Sequence, residues 1–157
     1  MEITIVNIIQ AMLAPGIMIS ACGLLLLGAN NKYSLVINRI RILDEEIRKL
    51  RDMKLQGTIN KEHESRLHNI ELQTAMLVKR FLIIRNTLLS YLIAVAFFII
   101  TCLAIGLQFS AKSINLHNVV IMLFLAGMIS VLVGIIYAVI EVIKGYRILQ
   151  TETNEGK

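Results

Sequence analysis

Residues 30–86 read NNKYSLVINRIRILDEEIRKLRDMKLQGTINKEHESRLHNIELQTAMLVKRFLIIRN and form a charged block between apolar segments. The block contains 12 of the 16 Lys and Arg residues of the chain and 7 of the 11 Asp and Glu residues, so the whole formal net charge of +5 lies within it. Positive charge collects in the cytoplasmic loops of membrane proteins. We therefore predict that this block is cytoplasmic and that it orients the segments on either side.

Those flanking segments are long and apolar enough to cross a bilayer. Hydrophobic residues make up 56% of the 157-residue chain, charged residues 17%, and the mean hydropathy is +0.70, which is outside the range of ordinary soluble domains. A spanning helix needs about 20 apolar residues, and segments 3–28, 88–107 and 119–140 meet this length. The prediction is an all-α membrane protein with three transmembrane helices in a single integrated domain.

Charge in the other loops completes the topology. The segment 108–118 carries one cation, Lys112, whereas the tail at 141–157 carries three cationic residues. The first is then an external loop and the second a cytoplasmic tail, with the N-terminus outside. Because no Lys or Arg precedes Lys32, the start lacks the basic region of a cleaved signal peptide, and the first segment is expected to be a retained span.

The charged block carries the apolar spacing of two paired helices. Residues recur at alternating spacings of three and four in two arms: Val36, Ile40, Leu43, Ile47 and Leu50, then Leu67, Ile70, Thr74, Leu77, Phe81 and Ile84. Between the arms, residues 56–60 supply a glycine stop and two helix N-caps. We predict an antiparallel cytoplasmic helical hairpin with a coiled-coil seam. No glycine or proline occurs from Lys61 until Gly106, so the second arm is expected to continue unbroken into the second span.

Small and polar residues form stripes on the first and third apolar segments. Such stripes let membrane helices approach closely, and polar groups within a span are functional candidates. Packing within one subunit is one interpretation, and a subunit interface or pore is the other. The candidate pore or interface residues are Asn7, Gln10, Ala14, Ser20, Ala21, Gly127, Gly134 and Glu141. Since Lys144 and Arg147 follow Glu141 within two turns, we expect an ion pair between these neighbours.

The common catalytic signatures are missing from the sequence. It contains no glycine-rich phosphate loop, no paired-cysteine metal motif, no HExxH and no GxSxG. The two cysteines, Cys22 and Cys102, lie in apolar runs and are typical of small buried side chains. Membrane topology accounts for the basic residues, so they do not indicate a nucleic-acid partner. We expect no enzyme activity, no cofactor, no metal and no nucleic-acid partner.

Two groups of residues carry a resemblance to a known family. Residues 14–25, APGIMISACGLL, followed by Asn30-Asn31-Lys32 and Asn38-Arg39-Ile40-Arg41, resemble a bacterial family of small inner-membrane proteins known only as a domain of unknown function. The resemblance covers most of the chain and implies a bacterial inner-membrane location without an activity. Besides Pro15 and Ser20, the matching residues define a candidate juxtamembrane site of Asn31, Asn38, Arg39 and Arg41.

Two functional hypotheses follow. Three spans enclose too little volume by themselves to form a pore. Leu72, Met76 and Leu82 lie beside the hairpin seam and would face water in a monomer. The first hypothesis is a homo-oligomer that acts as an ion channel or similar conduit above a cytoplasmic helical bundle. The alternative is a non-conducting scaffold or sensor whose basic hairpin binds a cytoplasmic protein partner or anionic lipid. Membrane lipids are expected partners in both.

Overall fold

The described part of the chain is entirely helical. The computed structural model describes residues 5–56, 61–110 and 117–155, with side chains at 6–56, 63–108 and 117–144. Within these ranges there are three α-helices, α1 Ile5–Leu55, α2 Lys61–Ser110 and α3 His117–Glu155, and no strand. The all-helical prediction is confirmed. Most of the turn expected at 56–60 and of the external loop expected at 108–118 lies outside the described residues.

The helices run past the predicted boundaries between apolar and charged segments. The first, α1, is 51 residues long and passes through Pro15 into the charged block without a break. The second, α2, has 50 residues, which corresponds to a length of about 75 Å. The unbroken course predicted from the absence of glycine and proline after Lys61 is therefore confirmed. The tail predicted at 141–157 is helical as far as Glu155.

Each helix contains a segment long and apolar enough to cross a membrane. These candidate spans are Val6–Leu55, His63–Gln108 and His117–Lys144. In their most apolar windows, 33% of the α2 residues are buried inside the chain, against 11% for α1 and 17% for α3. The apolar surface is thus mostly turned outward, as a lipid environment requires. The fold is compatible with a membrane protein, and α2 is its central helix.

The core consists of two separate clusters along α2. Toward the charged ends of α1 and α2, the packed residues are Leu43, Ile47, Leu50, Leu67 and Ile70, with Leu77 against them. These are members of the two arms whose spacing predicted a seam. In the apolar region the second cluster takes residues from all three helices, namely Cys22, Ala94, Phe98 and Val131. Both α1 and α3 therefore pack against α2.

Two glycines of α3 allow its close approach to α2. A Cβ at Gly127 would lie 2.7 Å from Cε1 of Phe98, and one at Gly134 would lie 2.5 Å from Cε1 of Tyr91. Both rings are buried, at 0% and 3% exposure. One turn away, the Ser130 hydroxyl donates a 2.8 Å hydrogen bond to the Ser90 carbonyl of α2. The small residues on this face of α3 thus receive aromatic rings from the same chain.

Ion pairs connect the charged ends of α1 and α2. Arg51 pairs with Glu71 at 2.8 Å, and Lys54 with Glu64 at 2.7 Å. Arg66 of α2 pairs with Glu46 of α1 at 2.6 Å. The Lys54 ammonium donates a hydrogen bond to Glu64 and thereby lowers the pKa of that carboxyl. Such exposed pairs contribute little to stability because water screens them, so they specify register more than stability.

Candidate functional site

A buried carboxylate joins all three helices at one point. Glu141 of α3 is 3% exposed. Its Oε2 accepts a 2.9 Å hydrogen bond from Nζ of Lys32 on α1. Its Oε1 accepts hydrogen bonds from Nη2 and Nε of Arg80 on α2, at 3.0 and 3.3 Å. We call these three residues the Glu141 cluster.

The cluster combines one nearly buried anion with two half-exposed cations. The side chain of Glu141 is 4% exposed, whereas those of Lys32 and Arg80 are 48% and 38% exposed. A carboxylate removed from water is costly unless it is paired and hydrogen-bonded, and here each oxygen has a cationic donor. The single negative charge is therefore fully compensated, and one positive charge is left over on the outer side of the cluster.

The chain positions the cluster at the border between its charged and apolar packing. One turn beyond Arg80 on α2, Ile84 is buried at 1% exposure, and Val36 follows Lys32 by one turn on α1. Beside the cluster the rings of Tyr33 and Phe81 pack at a centroid distance of 5.0 Å. Lys32 follows the first apolar segment, Arg80 precedes the second, and Glu141 ends the third. The order of the segments along the chain thus brings these three side chains to one level.

The ion pair expected for Glu141 is present, but its partners differ from the expected ones. The sequence interpretation chose Lys144 and Arg147 because they follow Glu141 within two turns. The structure pairs Glu141 with Lys32 and Arg80, and Lys144 is exposed. The side chain of Arg147 lies outside the described residues. Neither Lys32 nor Arg80 was among the candidate site residues. The sequence signal that could have identified them is that each lies at the charged end of an apolar segment.

The candidate pore or interface residues divide between two environments. Gly127, Gly134 and Glu141 are buried against α2 or bound to its side chains. Those of α1 are exposed, and they are Asn7, Gln10, Ala14, Ser20 and Ala21. The Ser20 hydroxyl donates to the Gly16 carbonyl of its own helix at 3.3 Å. A Cβ built at Gly16, Gly23 or Gly28 would meet nothing within 4 Å, so this face of α1 is open.

The candidate juxtamembrane residues do not converge on one site. Asn31, Asn38, Arg39 and Arg41 are all exposed on α1. Of these, Arg39 lines a polar groove of about 550 Å³ between α1 and α2. The other polar residues of this groove are Glu46, His63, Ser65, Arg66, Asn69 and Gln73. Within the described residues there is no group of three or more His, Cys, Asp or Glu side chains that would hold a metal ion.

Fold and site together define a class of protein with three long helices, each apolar enough to span a bilayer, linked by a buried carboxylate where the charged and apolar segments meet. The chain belongs to the family described as "Protein of unknown function (DUF2721)", whose profile matches residues 12–151. The resemblance to an uncharacterised family is confirmed. The match includes the Glu141 cluster. No curated protein and no solved structure matches the chain.

Proposed function

We propose that this chain is an integral protein of a bacterial inner membrane that assembles as a homo-oligomer and acts as an ion channel or similar conduit. Its three apolar helices cross the bilayer, with the N-terminus outside and the C-terminus in the cytoplasm. The observation that carries the proposal is the open face of α1, where the amides of Asn7 and Gln10 are exposed on an apolar helix. Such amides are costly in lipid unless another helix or a water-filled path receives them.

The charged ends of α1 and α2 provide independent support for assembly. We infer that residues 30–86 form an antiparallel cytoplasmic hairpin, since Tyr33 packs against Phe81 whereas Lys54, later on α1, pairs with Glu64, earlier on α2. On the outside of this hairpin, Leu72, Met76 and Leu82 are 51%, 45% and 42% exposed. Leu72 and Met76 are four residues apart and share one helical face. We call Leu72 and Met76 the exposed row of α2. Exposed apolar surface of this kind marks protein interaction sites.

A second copy is the occupant that fits both faces. The open face of α1 lies in the apolar region, where it borders the axis between copies, and the exposed row of α2 lies in the charged region, where a neighbour parallel to the chain covers it. A heterologous ring of such copies closes around an axis. Because three helices enclose little volume, this axis is where a conduit forms, lined by the polar residues of α1.

Cysteine labelling tests whether the α1 face lines a water-filled path. In a background with Cys22 and Cys102 replaced by alanine, cysteines are placed at Asn7, Ala14 or Ala21. We expect a membrane-impermeant thiol reagent to modify these positions, while the matched positions Ile9 and Leu13, which are also exposed but lie on another face of α1, stay unmodified. Liposomes containing the protein should then show ion flux that modification at Ala14 reduces.

Equal protection of all five positions, together with no flux, would refute the conduit. A dry α1 face with intact assembly favours the alternative, in which the protein is a non-conducting scaffold or sensor. The polar groove between α1 and α2 supports that alternative, because Arg39, His63 and Asn69 line it and offer hydrogen bonds to a cytoplasmic protein. Loss of binding to a cytoplasmic protein in an Arg39→Ala variant would distinguish the scaffold or sensor from the conduit.

A further inference from the structure

We infer that the Glu141 cluster, with the cations around it, forms a binding site for a phosphate group. The phosphate comes from an anionic phospholipid of the inner leaflet or from a soluble phosphate. This inference rests on the membrane placement proposed above, but it does not depend on conduction or on the number of subunits.

The uncompensated positive charge of the cluster favours an anion at this point. Lys32 and Arg80 share one carboxylate, so the cluster carries a net positive charge. Within residues 6–56, 63–108 and 117–144, no second carboxylate forms an ion pair with either cation. A cation that is half removed from water gains from a nearby counter-charge. An anion bound beside Lys32 and Arg80 supplies it.

The hydrogen-bond donors of Lys32 and Arg80 that Glu141 does not use also favour an anion. An ammonium has three N–H donors and a guanidinium has five. Lys32 gives one to Oε2 of Glu141, and Arg80 directs Nε and Nη2 to Oε1. Two N–H groups of Lys32 and the Nη1 group of Arg80 are left for another acceptor. A phosphate group suits this pair of cations because it offers several charged oxygens to both at once.

Three more exposed cations lie within a few residues of the cluster along α2 and α3. Lys79, Arg85 and Lys144 are exposed, and none of them is in an ion pair within the described side chains. Lys144 follows Glu141 by three residues, a rise of about 4.5 Å along α3. Cations near a membrane surface attract anionic lipid in general. The buried carboxylate distinguishes this place because it holds two of the cations in fixed positions.

The level of the cluster fits the phosphate layer of a bilayer. On α2, Arg80 lies between the buried Ile70 of the charged region and the buried Tyr91 of the apolar region. The Tyr33 and Phe81 rings lie beside the cluster, and aromatic rings with a polar end are common at membrane interfaces. A lipid phosphate next to Lys32 would leave its acyl chains against the exposed apolar sides of α1 and α3.

Native mass spectrometry of delipidated protein in detergent tests the site directly. The protein is titrated with phosphatidylglycerol or with phosphatidylcholine of the same acyl chains. We expect wild type to retain phosphatidylglycerol preferentially and Lys32→Gln to reduce that retention about tenfold. Lys54→Gln is the matched control, since it removes the same charge from a lysine of similar exposure, 52% against 48%, in the ion pair with Glu64.

Three further results interpret the titration. Lys32→Arg should restore retention, and circular dichroism should show equal helix content in all variants. Displacement of phosphatidylglycerol by millimolar inorganic phosphate supports the site and assigns it to a soluble anion; no displacement supports it and assigns it to lipid. Equal retention by Lys32→Gln and Lys54→Gln would overturn the site. Membrane placement fails separately, if alkaline carbonate extracts the protein from cell membranes.

Discussion

Replacing Glu141 with glutamine is expected to loosen the contact of α3 with α1 and to destabilise the chain by about 1–3 kcal/mol. The amide keeps the shape of the carboxylate but removes its charge, so Lys32 and Arg80 repel each other without a shared anion. Removing one partner of a fully buried pair costs about 3–5 kcal/mol. The cost here is lower, because both cations are half exposed and can turn toward water or headgroups.

Unfolding in a titration with sodium dodecyl sulfate, followed by circular dichroism, measures this effect. Glu71→Gln is the matched control, since it removes the same charge from a pair whose carboxylate is 42% exposed instead of 4%. That control should change the unfolding free energy by at most about 0.5 kcal/mol. If both variants unfold together with wild type, the Glu141 cluster does not hold the helices together.

Replacing Gly134 with valine is expected to have an effect of similar size on the packing of α2 with α3. The new Cβ would lie 2.5 Å from Cε1 of Tyr91, a distance that real side chains do not adopt. Tyr91 is 3% exposed, so its ring is covered on nearly all sides and can shift only by moving its neighbours. Overpacking of a filled core costs about 1–3 kcal/mol, and here it also separates two helices whose contact depends on close approach.

The same titration measures this second variant. Gly106→Val is the control, because it makes the same substitution in an apolar helix at a position where a Cβ meets nothing within 4 Å. We expect a loss of stability for Gly134→Val alone, and partial recovery when Tyr91→Ala is added to it. Equal losses at Gly106 and Gly134 would mean that valine, and not the contact with Tyr91, is responsible.

The course of the helices was predictable from local patterns. Glycine and proline are absent between Lys61 and Gly106, and α2 is unbroken over that range. The alternating three-and-four spacing placed Leu43, Ile47 and Leu67 in one seam, and all three are buried in one cluster. These features depend on residues within a few turns of each other, which is the range over which helical periodicity applies.

The Glu141 cluster was harder to predict because it joins residues far apart in sequence. Lys32 and Glu141 are separated by 109 positions. Local reasoning favoured Lys144 and Arg147, which are near in sequence. The choice of Lys32 and Arg80 depends on the rotation of each helix about its axis, and charge spacing alone does not contain that information.

The packing partner of each small-residue stripe could not be predicted from the sequence. Gly23 of α1 and Gly127 of α3 are alike in sequence context, but Gly127 receives the ring of Phe98 and Gly23 faces open space. Composition indicates that a helix face can be approached closely, but not which neighbour approaches it. The open stripe on α1 is therefore the feature that the proposed assembly has to explain.

The assembly depends on two unpartnered surfaces, so the variant that weakens one of them should weaken the oligomer. Leu72→Gln adds a polar group to the exposed row of α2 and is expected to shift the protein toward smaller species. Leu55→Gln is the matched control, because Leu55 is 85% exposed near the end of α1 and outside that row. Both variants leave the buried seam unchanged.

The protein mass in mild detergent, from light scattering corrected for bound detergent, tests the proposed assembly most directly. We predict a wild-type mass that is a multiple of the 17.6 kDa chain mass. Leu72→Gln should lower it and Leu55→Gln should not. A wild-type mass of 17.6 kDa at every protein concentration would contradict the homo-oligomer and, with it, the conduit.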